Sequence, residues 1–422
     1  MKTTRLGIII LTLLLISACN LPKETEYQSY FINQPETKSE RADSSKIKKI
    51  EIWTPEDIVT NTLKYFSYQH DDIEFEVTVV DRLNLVDTYY EALLTNTEPD
   101  LMIVSAQDIG AFSGLDKFET LNQQPYYDHQ FFRSRPNALL DNYLNDQDEM
   151  YGFPIHTHPY VTLYRADILA EYGFPTDPEK LGDYLADLDN WLEIVTRLGD
   201  DGLYAYESLQ VMLEWGLNSS YPFDQNYQYI YQEEPFANLL EGLTIIDAME
   251  LDIYQSVWQE SGYNNLKADR LVMFQAPSYM VDTLYNWLPE QAGKWRITKP
   301  PFEMNGIAKN TSLIAMIPEN ATNKNVVWSL VKALANDLYH GLSTVQQHPL
   351  LDQTDLNQFY LSLLEEPSIG KPSMLDKTAE VLWENNVYRV NQGYQLNETF
   401  FQQTHNQVIE QVRNNRRVLR EN

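Results

Sequence analysis

Four polar or aromatic residues in the first third of the chain could bind a ligand without covalent chemistry. Trp53 and Glu56 follow one predicted strand, and Gln107 and Asp108 follow another. A tryptophan ring offers an apolar face for stacking. Carboxylate and amide side chains supply hydrogen-bond acceptors and donors. This combination predicts a site for a polar ligand that also has an apolar face.

Alternating strands and helices must position these residues. Strands are predicted at 47–53, 74–79 and 101–104, and helices at 55–70 and 83–94. The first helix follows from the spacing of its apolar residues, and the second strand from strict alternation of apolar and polar residues. Strand, helix, strand, helix, strand predicts an α/β fold with a parallel sheet. Ligands of such sheets bind beyond the carboxyl ends of the strands, where the four candidates lie.

Catalytic motifs are missing from the sequence. It contains no H-E-x-x-H, no G-x-S-x-G and no G-x-x-x-x-G-K-[ST], so the common metalloprotease, hydrolase and P-loop signatures are lacking. The aspartates at 71–72 and 200–201 do not have the spacing of a calcium loop. We expect no metal and no cofactor. A glycosidase carboxylate pair stays open, because such a pair is defined by a spatial gap of about 5 to 9 Å.

The N-terminus has the features of a secretion signal. Lys2 and Arg5 precede an apolar stretch at 6–16, which is shorter than the roughly 20 residues of a membrane-spanning helix. The sequence ISAC at 16–19 resembles the lipobox of bacterial lipoprotein signal peptides. The resemblance implies cleavage after residue 18 and acylation of Cys19, the only cysteine of the chain.

The polar residues that follow predict a tether. Residues 19–46 carry two prolines and no sustained apolar period. A flexible segment of this length would hold the globular part on the order of 30 Å from the membrane. We therefore expect a cell-membrane protein that is lipid-anchored on the extracytoplasmic face.

Length and charge narrow the class of protein further. The chain has 422 residues, which suggests two or three domains or one large fold with two lobes. It carries 31 basic and 61 acidic residues, for a net charge of -30. Nucleic acid is therefore a poor partner, because its binding requires positive charge opposite the phosphates. A strongly acidic protein surface suits neutral or cationic ligands.

Several short motifs in a fixed order resemble one protein family. They are IWT at 52–54, EPDLMI at 98–103, YGFP at 151–154, VTLYRADIL at 161–169, GFPTDP at 173–178 and PPF at 300–302, followed by a strand at 313–318 and a helix at 323–334. In this order they resemble the extracellular solute-binding proteins that deliver sugars to ABC importers, over nearly the whole mature chain. Two stretches depart from the pattern: 306–312 has a single glycine, and 270–279 keeps only an apolar run and an aromatic residue.

The resemblance implies two α/β lobes joined by a hinge. The first lobe would comprise 47–148 and 296–337, and the second 149–295 and 338–422. Three crossings between the lobes would let the cleft close on a ligand. The implied partners are a sugar or oligosaccharide and the subunits of an ABC permease. The chain itself is expected to be a monomer.

A sugar needs hydrogen-bonding groups around its rim and an aromatic ring against its C–H face. On that basis the second lobe adds six candidates: Tyr151, His156, Tyr160, Trp215, Tyr279 and Trp383. Structural roles compete with several assignments, since Trp53 could close the core and Asp108 could cap a helix. Trp191 is assigned to the core by its helical spacing. The tyrosines at 221, 227, 229 and 231 could line the cleft or form the surface.

Two other classes of function remain open. A secreted, lipid-anchored glycan-active enzyme would cleave the sugars that it binds. A ligand sensor or adhesin would share the anchor but would not serve an importer. We expect the protein to bind glycans without turning them over.

Overall fold

A computed structural model of the chain describes residues 48–251, 255–344, 347–352 and 355–421. The predicted signal peptide at 1–18, the predicted acylation site at Cys19 and the predicted tether at 19–46 lie outside the described residues.

The described part of the chain contains eight strands. They are β1 (Lys48–Thr54), β2 (Ile73–Val79), β3 (Leu101–Ser105), β4 (Phe153–His156), β5 (Tyr160–Arg165), β6 (Met273–Pro277), β7 (Trp295–Thr298) and β8 (Leu313–Met316).

Helices form most of the remaining regular structure. They are α1 (Thr60–Phe66), α2 (Leu85–Thr95), α3 (His129–Arg133), α4 (Asn137–Asp141), α5 (Ala166–Glu171), α6 (Pro178–Leu185), α7 (Leu188–Gly199), α8 (Leu209–Ser219), α9 (Phe236–Ala248), α10 (Glu260–Lys267), α11 (Met280–Trp287), α12 (Lys324–Thr344), α13 (Leu356–Glu365), α14 (Asp376–Asn391) and α15 (Glu398–Glu421). None of the helices in these residues is long and apolar enough to cross a bilayer.

Five strands form sheet A, in the order β2-β1-β3-β8-β4. The first four in sequence are β1 to β4, and β8 joins them from later in the chain. β1 pairs in parallel with β2 and with β3, and α1 and α2 connect them. The predicted strand–helix alternation and parallel pairing are therefore confirmed for β1, β2 and β3. β8 runs antiparallel to both β3 and β4, which makes the sheet mixed.

Sheet A is apolar on both faces because helices cover both. Leu101 and Ile103 belong to a core cluster that also contains Trp328 of α12. Met102 and Val104 point the other way, into a cluster with Tyr89 of α2. This explains why β3 is a continuous apolar run, since successive side chains of a strand face opposite sides.

Sheet B has the order β6-β5-β7, with antiparallel pairing. The chain leaves sheet A after β4, so the passage between the sheets falls at 157–159, whereas the predicted lobe boundary follows residue 148. It leaves sheet B after β7, so the predicted return at 296 falls inside that strand. The last two residues of the YGFP motif at 151–154 begin β4, whose pairing with a strand about 160 residues further on is not visible in a local pattern.

The two connecting segments lie side by side. The backbone amide of Tyr160 donates to the Gly306 carbonyl at 2.9 Å, and that of Ala308 donates to the His158 carbonyl at 2.8 Å. Pro159 and Ile307 form an isolated antiparallel bridge. Both segments between the sheets are therefore held to each other by main-chain hydrogen bonds.

The largest core cluster lies among the helices and not against sheet A. Helices α8, α9, α14 and α15 contribute to it, and it contains Trp191 and Trp383, both fully buried. The predicted core position of Trp191 is confirmed. The clustered aromatic side chains fix where α14 lies, and α14 carries much of the site described next.

Candidate ligand-binding cavity

A cavity of about 270 Å³ lies between the loops at one end of sheet A and the helices of the second half. Its lining residues are Gln107, Glu214, Leu217, Asn218, Pro222, Tyr231, Asn310, Glu380, Trp383, Glu384 and Val387. Gln107 and Asn310 belong to loops next to strands of sheet A. The others come from α8, α14 and the segment at 222–231.

Gln107 reaches the cavity because of where β3 ends. β3 stops at Ser105, and the next two backbone amides pair with the loop before β8: Ala106 donates to Ser312 at 2.8 Å and Gln107 donates to Lys309 at 3.2 Å. The Gln107 side chain hydrogen-bonds the Glu380 carboxylate of α14. Gln107 therefore lies beyond the carboxyl end of β3, as predicted. Its side chain lines the cavity and contacts α14.

Asp108 lies beside the cavity and is absent from its lining. Its Oδ2 accepts a hydrogen bond from the Ser105 hydroxyl at 2.7 Å. It precedes a short 3-10 turn at Ile109–Phe112, but its side chain makes no capping hydrogen bond there. The competing role as a helix cap thus has no geometric support.

A buried lysine lies below the cavity wall. Lys309 Nζ is 3.7 Å from Glu380 Oε1, and the two side chains are 2% and 12% exposed. The ammonium also lies 4.6 Å from the centre of the Tyr221 ring. Burial lowers the pKa of Lys309 and raises that of Glu380. Burial, with the neighbouring Glu380 charge, raises the pKa of Asp376 to about 7.

Trp383 lines the cavity while it also forms part of the core. Its indole Nε1 donates to the Tyr229 hydroxyl at 3.0 Å. Its ring packs edge-on against Tyr231 and Phe236 at 5.9 and 5.6 Å and is stacked with Phe401 at 5.9 Å. The ring predicted to contact a ligand therefore has an orientation that the core already fixes.

Three other predicted aromatic contacts are core residues. Tyr151, Tyr160 and Trp215 are 5%, 6% and 3% exposed. Within the described residues, the Tyr151 hydroxyl and the Trp215 Nε1 have no hydrogen-bond partner. None of the three lines the cavity. An aromatic ring can serve packing as well as ligand contact.

Three further candidates, Glu56, His156 and Tyr279, lie with His158 in a second polar group, which we call the histidine cluster. The Nε2 atoms of the two histidines lie 2.8 Å apart, and the His158 ring meets Tyr279 edge-on at 4.9 Å. Burial lowers the pKa of His156 and brings that of His158 to about 3. The nearby Glu56 charge partly opposes the lowering of the His156 pKa. Burial raises the pKa of Tyr279, and the Glu56 charge raises it further.

Arg82 connects this cluster to the cavity. Its guanidinium is 3.0 Å from Glu56 Oε2 and donates at 2.7 Å to the backbone carbonyl of Asn310, a lining residue. Trp53 lies half-buried nearby, with its ring 5.9 Å from Tyr89. Among the described residues, no group of three His, Cys, Asp or Glu side chains could hold a metal ion.

Sequence reasoning missed the carboxylates of the helical wall. Glu380, Trp383 and Glu384 are spaced three and four residues apart on α14, which places them on one face of the helix. That spacing was the available signal. The undecided tyrosines are now placed: Tyr221, Tyr229 and Tyr231 are buried, and only Tyr231 lines the cavity.

The sequence of the chain matches no family model, and no curated protein matches it either. Solved structures do match in fold. An extracellular solute-binding protein of family 1 is 13% identical, with a TM-score of 0.69, over 86% of this chain and 99% of that one. The sugar-binding protein MalE of Xanthomonas citri is 15% identical, with a TM-score of 0.66, over 89% and 100%.

A third match is the galacto-N-biose/lacto-N-biose I-binding protein of Bifidobacterium longum, solved in complex with lacto-N-biose. It is 12% identical, with a TM-score of 0.64, over 88% of this chain and 98% of that one. The chain therefore has the two-lobed α/β fold of these binding proteins. The fold predicted from the sequence is confirmed.

Proposed function

We propose that the protein is the extracytoplasmic solute-binding component of an ABC transporter and captures a saccharide in the cavity between its lobes. The observation that carries the proposal is the composition of the cavity wall. Amides (Gln107, Asn218), carboxylates (Glu214, Glu380) and an aromatic ring (Trp383) line one space of about 270 Å³. Saccharides need this mixture of rim hydrogen bonds and an apolar surface. The shared fold with sugar-binding proteins supports the same ligand class.

Capture would proceed by closure of the lobes. The segments at 157–159 and 299–312 both run between the sheets and are bonded to each other. Bending at such paired connections can move two lobes as rigid bodies. The Gln107 side chain already hydrogen-bonds Glu380 of α14, so opening of the lobes would break this contact, and release would follow docking on a membrane permease.

A lipid on Cys19 would keep the protein at the extracytoplasmic face of the membrane. The support is the ISAC sequence at 16–19, the apolar stretch before it and the polar tether after it. We expect Cys19→Ala to abolish acylation and to move the protein from the membrane fraction to the soluble fraction, measured by fractionation and mass spectrometry. Unchanged membrane association of this variant would contradict the anchor.

A thermal-shift screen against mono- and oligosaccharides tests the binding function. A ligand at about 100 times its dissociation constant adds roughly 2.7 kcal/mol to the free energy of unfolding. We expect at least one saccharide to raise the melting temperature by a few degrees. Loss of that shift in Gln107→Ala, and its retention in a variant of an exposed carboxylate elsewhere such as Glu241→Gln, would place binding in the cavity.

Product analysis of the same incubations separates a binding protein from a glycan-active enzyme. We expect intact saccharides after long incubation. Bond cleavage that disappears in Glu214→Gln or Glu380→Gln would instead assign the protein to the glycosidases, whose chemistry rests on a pair of carboxyl groups.

A further inference from the structure

The cavity wall is strongly one-sided in charge. Glu214, Glu380 and Glu384 line it, and no lysine, arginine or histidine is among the described lining residues. A neutral sugar requires donors as well as acceptors around its hydroxyl groups. An ionised carboxylate supplies acceptors only. The wall is therefore rich in the groups that a cation prefers.

The nearest buried cation is already engaged below the wall. Lys309 is 2% exposed, lies 3.7 Å from Glu380 and covers the Tyr221 ring. Asp376 and Asp108 also act on it electrostatically. Lys309 thus faces three carboxyl groups, and Lys377 also acts electrostatically on Glu380. Burial is the main cause of the raised pKa values of Glu380 and Asp376, so both carboxyl groups are removed from water.

The two other lining carboxylates have no cation of their own. Within the described residues, neither Glu214 nor Glu384 takes part in an ion pair. Glu214 is half-buried and accepts one hydrogen bond from the Gln210 amide at 2.8 Å. Glu384 is exposed, one helical turn from Glu380. Their charges are available to a group that enters the cavity.

We infer that the ligand is a cationic saccharide, an amino sugar or amino-sugar oligomer, whose ammonium group binds Glu214 and Glu384. This rests on the proposed function, because it names the ligand class of the same cavity. Gln107 and Asn218 would pair with hydroxyl groups, and the partly exposed Leu217 and Val387 would face the apolar side of the ring. The net charge of -30 would also favour approach of a cation.

Matched pairs of ligands test the inference. Glucosamine and glucose, galactosamine and galactose, and β-1,4-linked oligomers of glucosamine and of glucose differ only in an amine or a hydroxyl at C2. Isothermal titration calorimetry at mildly acidic pH keeps the amine protonated. We expect an aminated member to bind about tenfold tighter than its hydroxyl counterpart, with the difference shrinking at high salt.

Glutamate-to-glutamine variants locate the preference. Glu214→Gln and Glu384→Gln keep the side-chain shape and remove the charge, so each should reduce the ratio of the amine's affinity to that of its hydroxyl counterpart. Glu241→Gln, an exposed change on α9 outside the cavity, should leave the preference intact. Melting curves of each variant show that it is folded.

The outcomes separate the two proposals. Neutral sugars that bind as tightly as their amines overturn the inference and leave the saccharide-binding function standing. An amine preference that survives in the Glu214→Gln/Glu384→Gln double variant overturns the assigned residues. If no saccharide binds, in these pairs or in the wider thermal-shift screen, both proposals fail.

Discussion

The cavity has two walls of different construction. The sheet-side wall consists of short loops next to β3 and β8, and it presents the amide side chains Gln107 and Asn310. The helical wall, from α8 and α14, presents carboxylates and the fully buried Trp383. Side chains on the first wall project from loops, whereas those on the second are tied to a core. Substitutions on the helical wall should therefore affect stability, and substitutions on the sheet-side wall should affect binding.

The largest expected effect is at Trp383. Replacing this fully buried ring with alanine leaves a cavity among Tyr231, Phe236 and Phe401 and should cost about 3 to 5 kcal/mol of unfolding free energy. Urea unfolding of Trp383→Ala measures it. The matched control is Trp258→Ala, at a ring that is 62% exposed, which should change stability little. Equal losses in the two variants would contradict the core role of Trp383.

The next effect is a pH dependence of stability from the helical wall. The pKa of Asp376 is raised from 3.8 to about 7, so the folded protein holds a proton that the unfolded chain releases between those values. The contribution of Asp376 to the free energy of unfolding is therefore complete below about pH 4. It falls by on the order of 3 to 4 kcal/mol as the pH rises to about 7. Asp376→Asn, which can still accept a hydrogen bond from Ser373, should flatten this decline in unfolding experiments from pH 4 to 8. An unchanged decline would show that other groups cause it.

On the sheet-side wall, Gln107→Ala should weaken binding without unfolding the protein. It removes a hydrogen-bonding group from the cavity and should cost about 1 to 3 kcal/mol of binding free energy. Calorimetric titration with the saccharide that gives the largest thermal shift measures the loss. If Gln107→Ala lowered the ligand-free melting temperature as much as Trp383→Ala, the proposed difference between the two walls would be contradicted.

The smallest effect is expected at Asp108. Its side chain accepts from Ser105 and does not cap the following turn, so Asp108→Ala should cost the ligand-free protein about 1 kcal/mol or less. Because Asp108 lies behind the lining, its truncation should weaken binding less than Gln107→Ala. An affinity loss greater than that of Gln107→Ala would mean that Asp108 contacts the ligand directly, as first predicted from the sequence.

The same difference between the walls explains what could be predicted from the sequence. Gln107 was predictable because the carboxyl end of a parallel strand is marked locally, by the apolar run of β3 and the polar residues after it. Glu214 and Glu380 lie in helices with no motif, and their approach to Gln107 depends on packing between distant segments. Trp215 and Tyr160 were chosen for their ring type, which serves a core as well as a site. The passage between the sheets follows β4, and the pairing of β4 with β8 is long-range and leaves no local signal in the sequence.

A crystal structure of the protein with the saccharide that gives the largest thermal shift tests the central claim most directly. The account predicts density for a sugar ring in the cavity, with hydroxyl groups near Gln107 and the ring between the sheet-side loops and α14. Density for the sugar only at another surface, with the cavity unfilled at saturating ligand, would contradict it.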